Sequence, residues 1–226
     1  GTQGARISIT GGGSLAGCHI DVPADISSAA FFLVGASIAE GSDLMLRHVG
    51  INPTRTGVIN ILLAMGADIS LENPREVGGE PVADIRVKYA PLKGIDIPLD
   101  QVPLAIDEFP ALFIAAACAE GTTTLSGAEE LRVKESDRIQ VMADGLATLG
   151  VTHVVKDDGI IIEGGKMGGG EINSHGDHRI AMAFTMAGLK ATKQITIHDC
   201  HNVATSFPGF TDLAGKTGIS LEYAEQ

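Results

Sequence analysis

The sequence predicts an α/β chain built as one domain of three similar units, each with two helices and several strands. Three observations carry this. Segments with one internal order recur three times along the 226 residues. Their first helices are apolar nearly all round, as helices buried on every side must be. Their ends carry matching caps, an acid or Asn at the start and Gly just past the close.

The first segment opens at Asp25, runs through Ala29-Ala30-Phe31-Phe32-Leu33 and closes at Ala39-Glu40-Gly41. The second opens at Asp107-Glu108, runs from Ala111 to Ala117 and closes at Ala119-Glu120-Gly121, 80 positions after its counterpart. The third opens at Asp177, runs from Ile180 to Phe184 and ends near Gly188. Each leads into a β-like run: Leu44-Met45-Leu46, Thr122 to Leu125, and Ile195-Thr196-Ile197. Each then enters a second helix closing at Gly66, Gly150 or Gly218, with a strand after it such as Ala67 to Leu71. Asn52-Pro53 reads as the cap and first turn of one second helix. The breaks at Asn73 to Ala83 and Gly164 to Gly170 read as loops within the domain. Repetition of this kind points to pseudo-three-fold symmetry, with units at about 14–90, 91–165 and 166–226 of a single domain spanning 1–226.

Composition narrows the function. With 16 Lys and Arg against 28 Asp and Glu, the net charge of −12 does not suit a general nucleic-acid binder or a polybasic membrane anchor. Seven Phe, two Tyr and no Trp give little material for stacking bases. The longest apolar run, Ala111 to Ala119, is far short of the roughly 20 residues that span a bilayer. Cys18, Cys118 and Cys200 are odd in number and widely spaced, which reads as buried thiols in a reduced, cytoplasmic protein. The chain begins at Gly1 within a strand-like stretch, so it is expected to be a piece of a longer protein.

The charged residues gather at helix starts. Glu129 to Arg138 precedes the amphipathic run Ile139, Val141, Met142, Leu146, Leu149. The motif therefore straddles a helix amino-terminus, where free N–H groups and the helix dipole favour an anion. Arg132 and Lys134 are expected in the extended approach and Arg138 in the first turn, three cations able to clamp phosphate or carboxylate. The same spacing also fits an ordinary solvated helix start with local ion pairs. His175-Gly176-Asp177-His178-Arg179 heads the third buried helix; an Asp cap accounts for Asp177 but not for His178 and Arg179. At Ile106-Asp107-Glu108 one carboxylate can cap the helix, leaving the other as a candidate base. Pseudo-symmetry would put these starts on one side of the domain, giving an acidic protein a small cationic pocket suited to a small polyanion. His198-Asp199-Cys200-His201 with His175 and His178 offers metal-ligand types, but neither CxxC nor HExxH is present. Neighbours along a strand alternate sides, so no metal site is assigned.

Leu131-Arg132-Val133-Lys134-Glu135-Ser136-Asp137-Arg138 and Gly176-Asp177-His178-Arg179-Ile180-Ala181-Met182 resemble the two carboxy-half signatures of the 5-enolpyruvylshikimate-3-phosphate synthase family. Asp25-Ile26-Ser27-Ser28-Ala29-Ala30, Asn52-Pro53-Thr54-Arg55-Thr56-Gly57, Ile106-Asp107-Glu108 and Ser206-Phe207-Pro208 extend the likeness over essentially the whole chain. The resemblance implies one half of a two-domain inside-out α/β barrel, each half built of three βαβαββ repeats around buried parallel helices. It implies an active site in the cleft between halves, at helix amino-termini, and an amino-terminal domain that this chain lacks.

It further implies transfer of the enolpyruvyl group of phosphoenolpyruvate to the 5-hydroxyl of shikimate 3-phosphate, releasing phosphate, with no metal or organic cofactor. By that likeness Asp107 binds the shikimate hydroxyls and acts as base, and Lys134 contacts the same substrate and assists proton transfer. Glu135 carries the proton to and from the methylene carbon. Arg138 and Arg179 hold phosphoenolpyruvate, with His178 beside them. Acid and base need opposite protonation states, so neighbouring cations should separate their pKa values. Many family members have Lys just before the late Phe-Pro; Thr205-Ser206 stand there in this chain. Two other readings remain open, an enolpyruvyl transferase with another acceptor and a non-catalytic anion-binding domain.

Overall fold

A computed structural model describes residues 8–222. The strand expected at Gly1 falls outside the described residues. Three helices form the centre: α1 (Ile26–Ile38), α3 (Phe109–Cys118) and α5 (His178–Ala187), each packed against the other two. Every residue of α1 except Ser28 is buried, and so is every residue of α3 except Cys118. Such sequences are Ala- and Phe-rich because no face of the helix meets water. Gly35 lets α1 and α5 approach closely: a Cβ there would lie 2.9 Å from the sulfur of Met186.

Small sheets surround these helices, and their order repeats. A bridge at Ala24 runs parallel to β1 (Asp43–Gly50), whose other edge pairs antiparallel with β3 (Glu80–Lys88), itself paired with β2 (Asp68–Val77). Bridges at Lys93 and Asp96 run parallel to the stretch around β4 (Thr122–Leu125), followed by β6 (Gly159–Glu163) and β5 (His153–Lys156) in the same order. The third sheet pairs β7 (Gly170–Asn173) parallel with β8 (Ile195–His198). Each parallel pair is joined by a central helix, the βαβ crossover that a parallel connection requires. The outer helices are α2 (Gly57–Ala64), α4 (Arg138–Thr148), α6 (Asn202–Ser206) and α7 (Phe210–Lys216). Gly66, Gly150 and Gly218 close α2, α4 and α7 with φ of +91°, +77° and +99°, a left-handed turn that glycine enters without a Cβ clash.

Three expectations are corrected. Asn73 to Ala83 is a β-hairpin rather than a loop; strand pairing runs to Val77 and resumes at Glu80, leaving only Gly78-Gly79 as the turn. Pro74 is tolerated because β2 is an edge strand and the register shifts between Glu72 and Arg75. Asn52-Pro53 does not start α2. The Asn52 side chain accepts from Thr54 N at 3.0 Å in a local turn, and the helix begins at Gly57. Of the three cysteines, Cys18 is exposed and Cys118 and Cys200 are partly buried; burial pushes the Cys118 thiol up to about 12.

Candidate active site

The Glu129–Arg138 motif folds as a 3-10 turn over Glu129–Val133, an extended Lys134, and then α4. Asp137 caps α4 by accepting from Gln140 N at 3.0 Å. Arg132 does not join a clamp. It donates to Asp137 at 2.8 Å and to the carbonyls of Asp157 and Lys156 at 2.7 and 2.6 Å, fastening the turn to the β5–β6 hairpin. That removes one of the three cations expected here.

The start of α5 is held from behind. Ser174 is fully buried and its hydroxyl points to the carbonyls of His198 and Asp199, while Asn202 donates to the Gly176 carbonyl at 2.7 Å. These contacts aim Asp177 inward. One Asp177 oxygen caps Arg179 N at 3.0 Å; the other accepts from Arg138 Nε at 2.9 Å and from Ser136 at 3.0 Å.

At the start of α3 neither carboxylate caps the helix. Asp107 accepts from Arg138 Nη1 at 3.2 Å and lies 3.5 Å from Lys134 Nζ, while Arg179 Nη1 donates to the Asp107 carbonyl at 3.1 Å. Glu108 turns the other way, into the core, and accepts from the Ser27 hydroxyl of α1.

The three helix starts therefore meet on one guanidinium. Arg138 is fully buried, with Nε on Asp177, Nη1 on Asp107 and Nη2 on Glu135. Three carboxylates each take one nitrogen of the fork, charge-assisted pairing that lets an arginine be buried at all. Five of the six expected site residues, Asp107, Lys134, Glu135, Arg138 and Arg179, come together directly. His178 lines a neighbouring cavity of about 60 Å³ with Arg179, and Asp25, Ser27 and Ser206 are on its wall. Ser206, just before Phe207-Pro208, is thus on the wall of this cavity. Three of the five Arg138 N–H groups already serve the protein's own acids.

The local field separates adjacent acids. Burial alone would raise Asp107, but Arg179, Lys134 and Arg138 outweigh it and hold its carboxyl below the usual aspartate range. Burial raises Glu108, outweighing the Ser27 hydrogen bond and the attraction of Arg179 and Arg55. Lys134 is raised, first by its contact with Glu130 and also by Asp107. Burial, then the adjacent Arg179, depresses His178, which favours its neutral form. Charge reading found Asp107 but could not assign Glu108. Its only sequence signal is a second acid at a helix start that needs one cap at most.

Comparison with known proteins finds one family over nearly the whole chain. The family model described as EPSP synthase (3-phosphoshikimate 1-carboxyvinyltransferase) matches residues 1–213. A 3-phosphoshikimate 1-carboxyvinyltransferase of Alkalilimnicola ehrlichii is 69% identical over 220 residues, covering 97% of this chain and 49% of its own length. One of Methylococcus capsulatus is 65% identical, covering 97% and 50%. A solved EPSP synthase of Acinetobacter baumannii superposes with a TM-score of 0.92 at 64% identity, over 95% of this chain and 50% of that one. The enolpyruvyl transferase NikO of Streptomyces tendae shares the fold, with a TM-score of 0.66 at 17% identity over 88% and 44%. The chain spans about half the length of these relatives. With its family match running from residue 1 to residue 213, the chain belongs to the EPSP synthase family.

Proposed function

We propose that the chain, 1–226, is the carboxy-terminal domain of a cytoplasmic 3-phosphoshikimate 1-carboxyvinyltransferase, with units near 14–90, 91–165 and 166–226. The whole protein transfers the enolpyruvyl group of phosphoenolpyruvate to the 5-hydroxyl of shikimate 3-phosphate, and its other substrate contacts come from an amino-terminal domain. The observation that carries the reading is the convergence of Asp107, Lys134, Glu135, Arg138 and Arg179 at the starts of α3, α4 and α5.

The chemistry asks for this arrangement. The 5-hydroxyl oxygen adds to C2 of phosphoenolpyruvate while a proton is delivered to C3. Phosphate then leaves C2 as C3 gives up a proton. Asp107, held ionised by three cations, takes the hydroxyl proton, with Lys134 on the same substrate. Glu135 is half-exposed and serves C3. Arg179 and His178 face the phosphoenolpyruvate anion, and fixed cations offset its charge without reorganising. Arg138 holds Asp107 and Glu135 in place, and by the family likeness belongs with Arg179 on the phosphoenolpyruvate side of the cluster.

The test is phosphate release by the full-length enzyme. Release from phosphoenolpyruvate should require shikimate 3-phosphate, and other hydroxylated acceptors should not replace it. Release that is indifferent to this acceptor contradicts the reading.

A further inference from the structure

One buried acid has no part in the steps above. Glu108 is 2% exposed, yet it lies one residue from Asp107 at the junction of α1 and α3. Its partner is Ser27, also buried, whose oxygen in turn accepts from Arg55 Nη2 at 2.7 Å. A guanidinium can only donate, so the Ser27 proton is directed to Glu108, whose oxygen accepts it. Arg55 also stands 3.9 Å from Asp25, and its side chain is 51% exposed, facing water at the start of α1. Glu108 is also under the attraction of Arg179, which is itself fixed to the Asp107 carbonyl. A lone buried carboxylate would be strongly disfavoured; this one is tied by a hydroxyl and attracted by two guanidiniums, one of which reaches it through Ser27. Ser27, His178 and Arg179 also share the wall of the 60 Å³ cavity, so the chain of contacts ends at the anion-facing surface.

We propose that Glu108 is a positioning residue: a buried counter-charge, tied through Ser27 to Arg55, that moderates the hold of Arg179 and its neighbours on phosphate-bearing ligands. A cluster that must grip an anion and then release inorganic phosphate gains from such an opposing charge. The inference rests on the proposed reaction for its purpose, but its physical claim concerns anion affinity and is measurable without turnover.

The experiment uses the full-length enzyme and inorganic phosphate as probe, with affinity read by calorimetry. Glu108→Gln keeps the shape and an acceptor for Ser27 while deleting the charge. It should bind phosphate about fivefold tighter, and should lower KM for phosphoenolpyruvate more than it changes kcat. Glu108→Asp, which keeps the charge, should restore affinity toward wild type. An E108Q enzyme with wild-type phosphate affinity overturns the inference. If E108Q does not fold, the surface variant Arg55→Gln decides: it strips one cation from the pair and should weaken phosphate binding about threefold, and unchanged affinity contradicts the proposal. A wild-type enzyme that binds phosphate but does not turn over these substrates would instead refute the proposed reaction.

Discussion

At the residue scale, Arg138 shows how one side chain organises a site. Its burial is complete and its three partners are acids, so removing it takes away the one cation that Asp107, Asp177 and Glu135 share. Arg138→Ala should cost about 3–5 kcal/mol of stability by urea unfolding, the usual loss when half of a buried ion network is deleted. Arg138→Lys should fail nearly as badly, since an ammonium cannot fill the fork. The paired acids make opposite pH predictions. Asp107 is more acidic in the folded chain than in the unfolded one, so its contribution is present above about pH 4 and fades as pH falls through its lowered pKa. Glu108 is raised by burial, so its ionisation destabilises the fold as pH rises above the ordinary glutamate range. Thermal melts should therefore show Glu108→Gln gaining on wild type as pH rises above about 4.5, and wild type losing its advantage over Asp107→Asn as pH falls below about 4. Melts of E108Q that track wild type across that rise would contradict the assignment. The sequence made the charged residues visible as candidates, because they stand before apolar helices where solvation alone does not explain them. It did not show that Arg138 is buried, since that depends on Asp107 and Asp177, 31 and 39 positions away.

At the element scale, the site depends on how closely α4 packs against α5. Gly145 faces the ring of Phe184, and a Cβ there would fall 2.2 Å from its Cζ. Gly145→Ala should raise helix propensity yet destabilise the protein by about 1–3 kcal/mol, because the ring has no room to retreat. By moving α4 off α5 it should also stretch the Arg138–Asp177 pair and lower kcat; an unchanged midpoint and unchanged turnover would count against this packing argument. The central helices were legible from sequence because their burial makes them apolar all round. The β2–β3 hairpin was not, since Asn73-Pro74 and Gly78-Gly79 carry loop chemistry. The strand absorbs the first pair as an edge irregularity with Asn73 at φ +50°. The start of α2 was misplaced for a related reason. An Asn-Pro pair serves a turn as well as a helix cap, and only the position of Leu104, whose carbonyl receives Gly57 N at 3.2 Å, settles which.

At the scale of the whole molecule, a net charge of −12 conceals a cationic cluster assembled from distant segments. Lys134, Arg138 and Arg179 come from helix starts brought to one place, where the Asp107 carboxylate meets Lys134 and Arg138 and the Asp107 main-chain carbonyl receives Arg179. On the proposed function the cluster is one side of a site. Expressed alone, the chain is expected to unfold cooperatively but to release no phosphate from the two substrates. Enzyme-like release by the isolated chain would contradict the need for a second domain. The central claim is that the α3, α4 and α5 starts form the anion-handling half of the reaction. It is tested most directly by Arg179→Gln in the full-length enzyme, assayed for phosphate release alongside circular dichroism and the thermal midpoint. The account predicts kcat/KM for phosphoenolpyruvate at least about 100-fold lower, near 2.7 kcal/mol of transition-state stabilisation, with the fold intact. A folded Arg179→Gln enzyme working within about twofold of wild type would contradict it.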